Sequence, residues 1–267
     1  MWNFSLPMKS KLRPGLVSIT FRKLSIEEII RLACEAKLHG IEWGGDVHVP
    51  HGDLVRAKHV GELTRDAGLE VSAYGSYYRY DDCLEIQEED EVSWNSILET
   101  AHMLGAPVVR VWAGRCGTGS VSKNWCSRIV ERTREMADEA MKFGIRIGFE
   151  LHENTLTESN TATRALLDNI AHPNVFTFWQ PYLSVEHEYR MEGLANLIER
   201  IENVHCNHFA KEGWPHAMLL EEGENEWKDF LSVLRSDGRE RWISIEHVKD
   251  HSVENFRRDA AALVNWI

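Results

Sequence analysis

From Pro14 onward, short apolar runs alternate with longer stretches in which apolar residues recur every three or four positions. That alternation is the pattern of βαβ units around a parallel sheet. Eight units can be read. Strands are predicted at 15–21, 40–43, 69–74, 107–112, 145–150, 175–180, 204–207 and 242–246. Helices are predicted at 25–39, 53–67, 88–104, 122–143, 161–170, 191–201, 226–234 and 253–266. The first helix opens with Ser25 and Glu28, a capping-box spacing, and carries Ile26, Ile29, Ile30 and Ala33 on one face. Gly68, Gly105 and Gly144 fall at helix-to-strand turns, where a left-handed residue is wanted. Eight strands alternating with eight helices point to a closed (β/α)8 TIM barrel, and 267 residues match the roughly 250 that such a barrel needs. No GxGxxG follows the first strand, which weakens a dinucleotide-binding alternative.

Two strands share an informative parity. Ile145, Ile147 and Phe149 lie on one side of the fifth, and Gly148, Glu150 and His152 on the other. In the eighth, Ile243 and Ile245 oppose Ser244 and Glu246. The last inward position of each strand gives Thr20 or Phe21, Glu42, Tyr74, Trp112, Glu150, Gln180, His205 and Glu246, a polar set gathered where TIM barrels build their active sites. The loops after strands 2, 3, 4 and 7 are long and rich in His, Tyr, Asp and Gly, whereas the returns are short.

Composition narrows the classes. With 43% hydrophobic and 27% charged residues the chain reads as a globular protein, and no apolar run approaches the ~20 residues of a membrane helix. The first residues lack the apolar centre of a secretory signal, so a cytoplasmic location is expected. The five cysteines, Cys34, Cys83, Cys116, Cys126 and Cys206, are scattered and odd in number, which favours thiols over a disulfide framework. A net charge of −12 argues against nucleic acid and anionic membranes as partners. No composition shift or linker marks a second domain, so residues 1–267 are expected to form one domain with an N-terminal extension at 1–13. A homo-oligomer is left open.

Glu150, His205 and Glu246, with the amide oxygen of Gln180, would place three oxygens and one nitrogen around a point near the barrel axis. Such a set suits Mn2+, Co2+ or Mg2+ better than a thiolate-bound zinc. Glu42 faces the mouth with substrate hydrogen bonding and an ion pair as equal readings. His152 contacts substrate or orients Glu150, with a plain surface histidine as an equal reading. Trp112 and Trp179 are candidate stacking surfaces for sugar C–H faces.

These residues resemble the xylose isomerase-like TIM barrels, in particular the sugar phosphate isomerase/epimerase group, over about 16–266. The markers are Gly40-Ile-Glu-Trp, Gly148-Phe-Glu150-Leu-His152, His172-Pro-Asn-Val with Trp179-Gln180-Pro181, Asn203-Val-His205, Gly223-Glu-Asn-Glu-Trp and Ser244-Ile-Glu246. The resemblance implies one divalent metal, Mn2+ first and Co2+, Mg2+ or Zn2+ otherwise, held by Glu, Asp, His and Glu from strands five to eight. Those positions are Glu150, Gln180, His205 and Glu246 here. Gln180 departs from the usual Asp and Leu183 from a frequent His. Lys211 stands where the family commonly has a basic substrate-binding residue, with an exposed loop lysine as an equal reading.

The implied activity is isomerisation or epimerisation of a small-molecule sugar through a metal-stabilised enediolate. Glu150 and Glu246 would then be the acid and base, and Glu42, Tyr74, Trp112, His152 and Lys211 the substrate contacts. The alternatives are a metal-dependent dehydratase acting on a keto-sugar or inositol-type substrate, and a noncatalytic sugar-binding barrel subunit. Apurinic endonuclease activity would need more His ligands and a basic surface.

Overall fold

The computed structural model describes residues 11–79 and 92–267. Cys83, the first ten residues of the expected extension and the first four positions of the third predicted helix lie outside the described residues. Eight parallel strands close into a barrel in chain order: β1 (Leu12–Val17), β2 (Gly40–Gly44), β3 (Glu70–Arg79), β4 (Val108–Trp112), β5 (Arg146–Glu150), β6 (Val175–Trp179), β7 (Ile201–Cys206) and β8 (Arg241–Ile245). β8 pairs with β1 and removes the last sheet edge. Around them lie α1 (Ile26–Glu35), α2 (Leu54–Asp66), α3 (Trp94–Leu104), α4 (Lys123–Lys142), α5 (Asn160–Ile170), α6 (His187–Leu197), α7 (Glu224–Ser236) and α8 (Val253–Trp266). The fold is a single (β/α)8 barrel, as the periodicity predicts. No described helix is long and apolar enough to cross a membrane.

Local chemistry explains the boundaries. Ser25, Asp53, Ser93, Ser122, Ser159 and Ser252 each accept the backbone N–H three residues on, which contributes about 1 kcal/mol per helix start. The Ser25–Glu28 capping box forms as expected. Gly68, Gly105 and Gly144 take φ of 78°, 82° and 68° at their turns. The first strand starts at Leu12 rather than at residue 15, and it stops at Val17 because Ser18–Phe21 winds into a 3-10 turn. That turn is pinned where Ser18 Oγ accepts from Gly44 N at 2.9 Å. α6 begins four residues before its predicted start, in a polar first turn of His187 and Glu188 that carries no apolar signal.

The lumen is filled in layers. Trp242 lies near its lower end, with the Arg13 guanidinium 4.0 Å above its ring. Ala73, Val108 and Phe178 form a separate, fully buried cluster. A side chain at Gly148 would meet the Phe178 ring at 2.4 Å, so that glycine makes room for the plug. Above Phe178 sits His205, with ring centroids 5.6 Å apart.

Candidate active site

Beyond this apolar plug the inward positions turn polar. β5, β7 and the residue after β8 bring Glu150, His205 and Glu246 together, all buried, with one ligand-type atom of each within 4.8 Å of the others. His205 Nδ1 stands 3.4 Å from Glu150 Oε1 and 3.2 Å from Glu246 Oε2. Neither approach is aligned as a hydrogen bond, so this buried nitrogen has no hydrogen-bond partner. The other ring nitrogen is committed, since Nε2 donates to Glu42 Oε2 at 3.0 Å. Arg110 Nε donates to Glu42 Oε1 at 2.6 Å, and its Nη1 donates to Glu150 Oε2. Trp112 Nε1 donates to that same Glu150 oxygen. Glu150 therefore has one oxygen saturated and the other turned toward His205.

Burial opposes every charge here, and the neighbours decide the outcome. For Glu150 burial is outweighed by the Arg110 guanidinium and by His205, which hold the carboxyl well below the usual carboxylate range. Glu246 is kept well below the usual carboxylate range, against burial, by His205 and His247. The His205 imidazole is lifted well above its ordinary value, again against burial, by Glu246 and Glu42. In the absence of an ion the surrounding carboxylates favour the protonated ring.

The residues fit a divalent cation. Two carboxylate oxygens and one imidazole nitrogen are a hard donor set. Their 3.2 and 3.4 Å spacings from Nδ1 are close to the about 3 Å that separates adjacent ligands around an octahedral ion with 2.0–2.1 Å bonds. Glu42 selects the tautomer that leaves the Nδ1 lone pair for the ion. Glu150 Oε1, His205 Nδ1 and Glu246 Oε2 can hold such an ion.

Gln180 is not placed as the fourth ligand that its position suggests. Its Nε2 donates to Leu151 O at 2.7 Å and toward Glu150 Oε1 at 3.3 Å, while Asn207 Nδ2 donates to its Oε1 at 3.4 Å. A carbonyl at 2.7 Å demands a donor, so the amide nitrogen rather than the oxygen faces the centre.

Above the centre opens a cavity of about 370 Å3. Trp112 and His152 line it as expected, but the Trp112 ring has the Arg79 guanidinium at 3.5 Å and the His152 ring at 4.1 Å. Trp112 is thus a packed donor to Glu150 rather than an open stacking surface. Three expected substrate contacts lie elsewhere. Glu42 is 1% exposed beneath His205 and Arg110, so of its two readings the ion pair holds. Tyr74 pairs with Trp43 in the ladder, on the outward parity, and its hydroxyl meets Val49 O and His51. The register shift between Ile41 and Glu42 puts Ala73 beside Glu42, and the inward position passes to Ala73. Lys211 lines a neighbouring cavity with Arg190 and His208. Trp179 packs on Phe230 at 5.0 Å, outside the barrel.

Sequence reasoning missed Arg110, Tyr77, Asn207, Trp214 and His247, all in the cavity wall. Arg110 was readable, because it shares inward parity with Val108 and Trp112. His247 was not: parity sends it outward, and a backbone φ of 60° turns it back. Burial lowers its imidazole below the ordinary value, although Glu246 pulls the other way.

Fold and site together define a (β/α)8 barrel with a two-carboxylate, one-imidazole centre at the C-terminal mouth. Over residues 30–266 the chain matches the model of the xylose isomerase-like TIM barrels, and it belongs to that family. It is 24% identical over 165 residues to the 3-dehydroshikimate dehydratase of Bacillus anthracis, a stretch covering 60% of this chain and 59% of that relative's length. The crystal structure of the probable 3-DHS dehydratase involved in petrobactin synthesis from Bacillus anthracis superposes with a TM-score of 0.79 at 19% identity, covering 95% of this chain and 99% of the other. The 3-keto-D-glucoside 4-epimerase of E. coli superposes with a TM-score of 0.73 at 14% identity, covering 96% and 100%. At these identities the superpositions speak for the fold.

Proposed function

We propose that the chain is a divalent-metal-dependent isomerase or epimerase of a sugar or sugar derivative, moving a proton at the carbon next to a carbonyl. One observation carries the reading: two ionised carboxylates lie within 3.4 Å of an unpartnered, buried imidazole nitrogen at the floor of a cavity. When bound, a divalent ion supplies Lewis acidity for the charge that builds on the substrate oxygen. Glu150, with Oε2 tied to Arg110 and Trp112, is held rigid. Glu246 accepts no side-chain hydrogen bond among the described residues and is the freer base. Proton return by the second carboxylate completes an isomerisation or epimerisation.

A second reading, dehydration, is favoured by the likeness to 3-dehydroshikimate dehydratase. The same proton removal is then followed by loss of the hydroxyl on the next carbon as water. Incubating the Mn2+-loaded protein in D2O with a panel of keto and aldo sugars and with 3-dehydroshikimate, followed by NMR, separates the two. Isomerisation conserves the formula and incorporates deuterium, and dehydration loses water. No conversion in the whole panel by protein that binds Mn2+ overturns both readings.

A further inference from the structure

β3 does not run straight into its loop. Gly75 pairs with Arg110 and Tyr78 with Val111, so Ser76 and Tyr77 are extra residues against β4. Ser76 Oγ fills the gap, donating to Arg110 O at 2.7 Å and accepting from Tyr78 N at 3.2 Å. Tyr77 takes a left-handed backbone with φ of 55°. For a bulky non-glycine residue that conformation costs on the order of 1 kcal/mol or more, and such strain collects at functional sites.

The strained residue is delivered to the cavity wall. Its ring lies 4.9 Å from the Arg110 guanidinium carbon and 5.7 Å from the Trp112 ring, within the electrostatic reach of Glu150 and Glu246. A substrate oxygen gaining negative charge beside two carboxylates needs a hydrogen-bond donor. Several donors nearby are engaged: Arg110 Nε and Nη1 with Glu42 and Glu150, Trp112 Nε1 with Glu150, and Gln180 Nε2 with Leu151 O and Glu150, while Arg110 Nη2 is buried without a hydrogen-bond partner.

We propose that Tyr77 is a catalytic residue whose phenol donates a hydrogen bond to the substrate oxygen that gathers charge as the neighbouring proton leaves. The role rests on the proton-transfer reading above. A purely structural Tyr77 would act through its ring, packed on Arg110 and Trp112, and Tyr77→Phe keeps that ring. The substitution is therefore expected to leave the melting temperature unchanged and to lower kcat about 10²-fold, with KM rising far less. A kcat within twofold of wild type overturns the proposal. Calorimetry of Mn2+-loaded protein with D-tagatose and with 3-dehydroshikimate supplies a readout independent of turnover. If wild type binds a probe without converting it, the proton-transfer reading fails on its own. In that case a severalfold affinity loss in Tyr77→Phe still supports the contact, and equal affinity overturns it. Binding of neither probe overturns both.

Discussion

Arg110 offers the sharpest test of how the centre is held together. It is 1% exposed, and its guanidinium joins Glu42 to Glu150 at the barrel axis. The formal charges are Glu42, Glu150 and Glu246 against Arg110 and protonated His205, −3 and +2, a net −1 in the ion-free protein. Arg110→Met keeps much of the apolar stem and takes the net to −2. Removing one partner of a buried pair costs about 3–5 kcal/mol, because the remaining charge is left uncompensated. Urea denaturation of the metal-free proteins, read by tryptophan fluorescence, should show that loss as a lower midpoint at unchanged slope. Mn2+ should then restore more stability to the variant than it adds to wild type. The ion binds the folded state alone and meets a Glu150 no longer shared with a competing cation. A loss under about 1 kcal/mol, or a variant no more responsive to Mn2+ than wild type, would refute this account of the charges.

Three further outcomes are expected. Glu42→Gln removes the carboxylate that fixes the His205 ring, and Mn2+ affinity measured by calorimetry should fall about 10- to 100-fold; unchanged affinity would mean that the ring is oriented by packing alone. Gln180→Asp adds a carboxylate where an amide nitrogen now faces Glu150, so calorimetry should show tighter Mn2+ binding while the metal-free melting temperature drops, and weaker binding would contradict the placement. Asp259, 1% exposed in α8, accepts from Leu220 N, leaves Oδ2 unpartnered, and is raised by burial from 3.8 to about 7. Its contribution to stability is present below about pH 4 and lost as pH rises through about 7. Asp259→Asn should therefore be more stable than wild type at pH 8, by up to roughly 4 kcal/mol, and show no such gain at pH 4; an equal effect at both pH values would exclude titration as the cause.

Much of the molecule was legible because two periodicities dominate it. Period 3.6 located the helices, and the serine caps set their starts. Period 2 located the strands and brought Glu150, His205 and Glu246 to one point. The misreadings occur where period 2 breaks. Register shifts beside Glu42 and Tyr77 hand the inward position from Tyr74 to Ala73 and later to Tyr77. No residue type announces such a shift. Lys211 and His247 sit on loops, where backbone dihedrals rather than spacing aim the side chain. Gln180 was correctly placed beside the centre but read with the wrong end inward. Only the neighbouring Leu151 carbonyl, at 2.7 Å, decides which end of the amide turns there.

The plug of Ala73, Val108 and Phe178 beneath His205 has a kinetic meaning. Among the described residues the lumen is shut below the centre, and the cavity above it is where the proposed substrate would lie. An ion reaching the centre through that cavity would enter before substrate and leave after product. Occupancy of the outer chamber would then set the lifetime of the inner one, and a saturating substrate would shield the centre from chelators without touching its affinity.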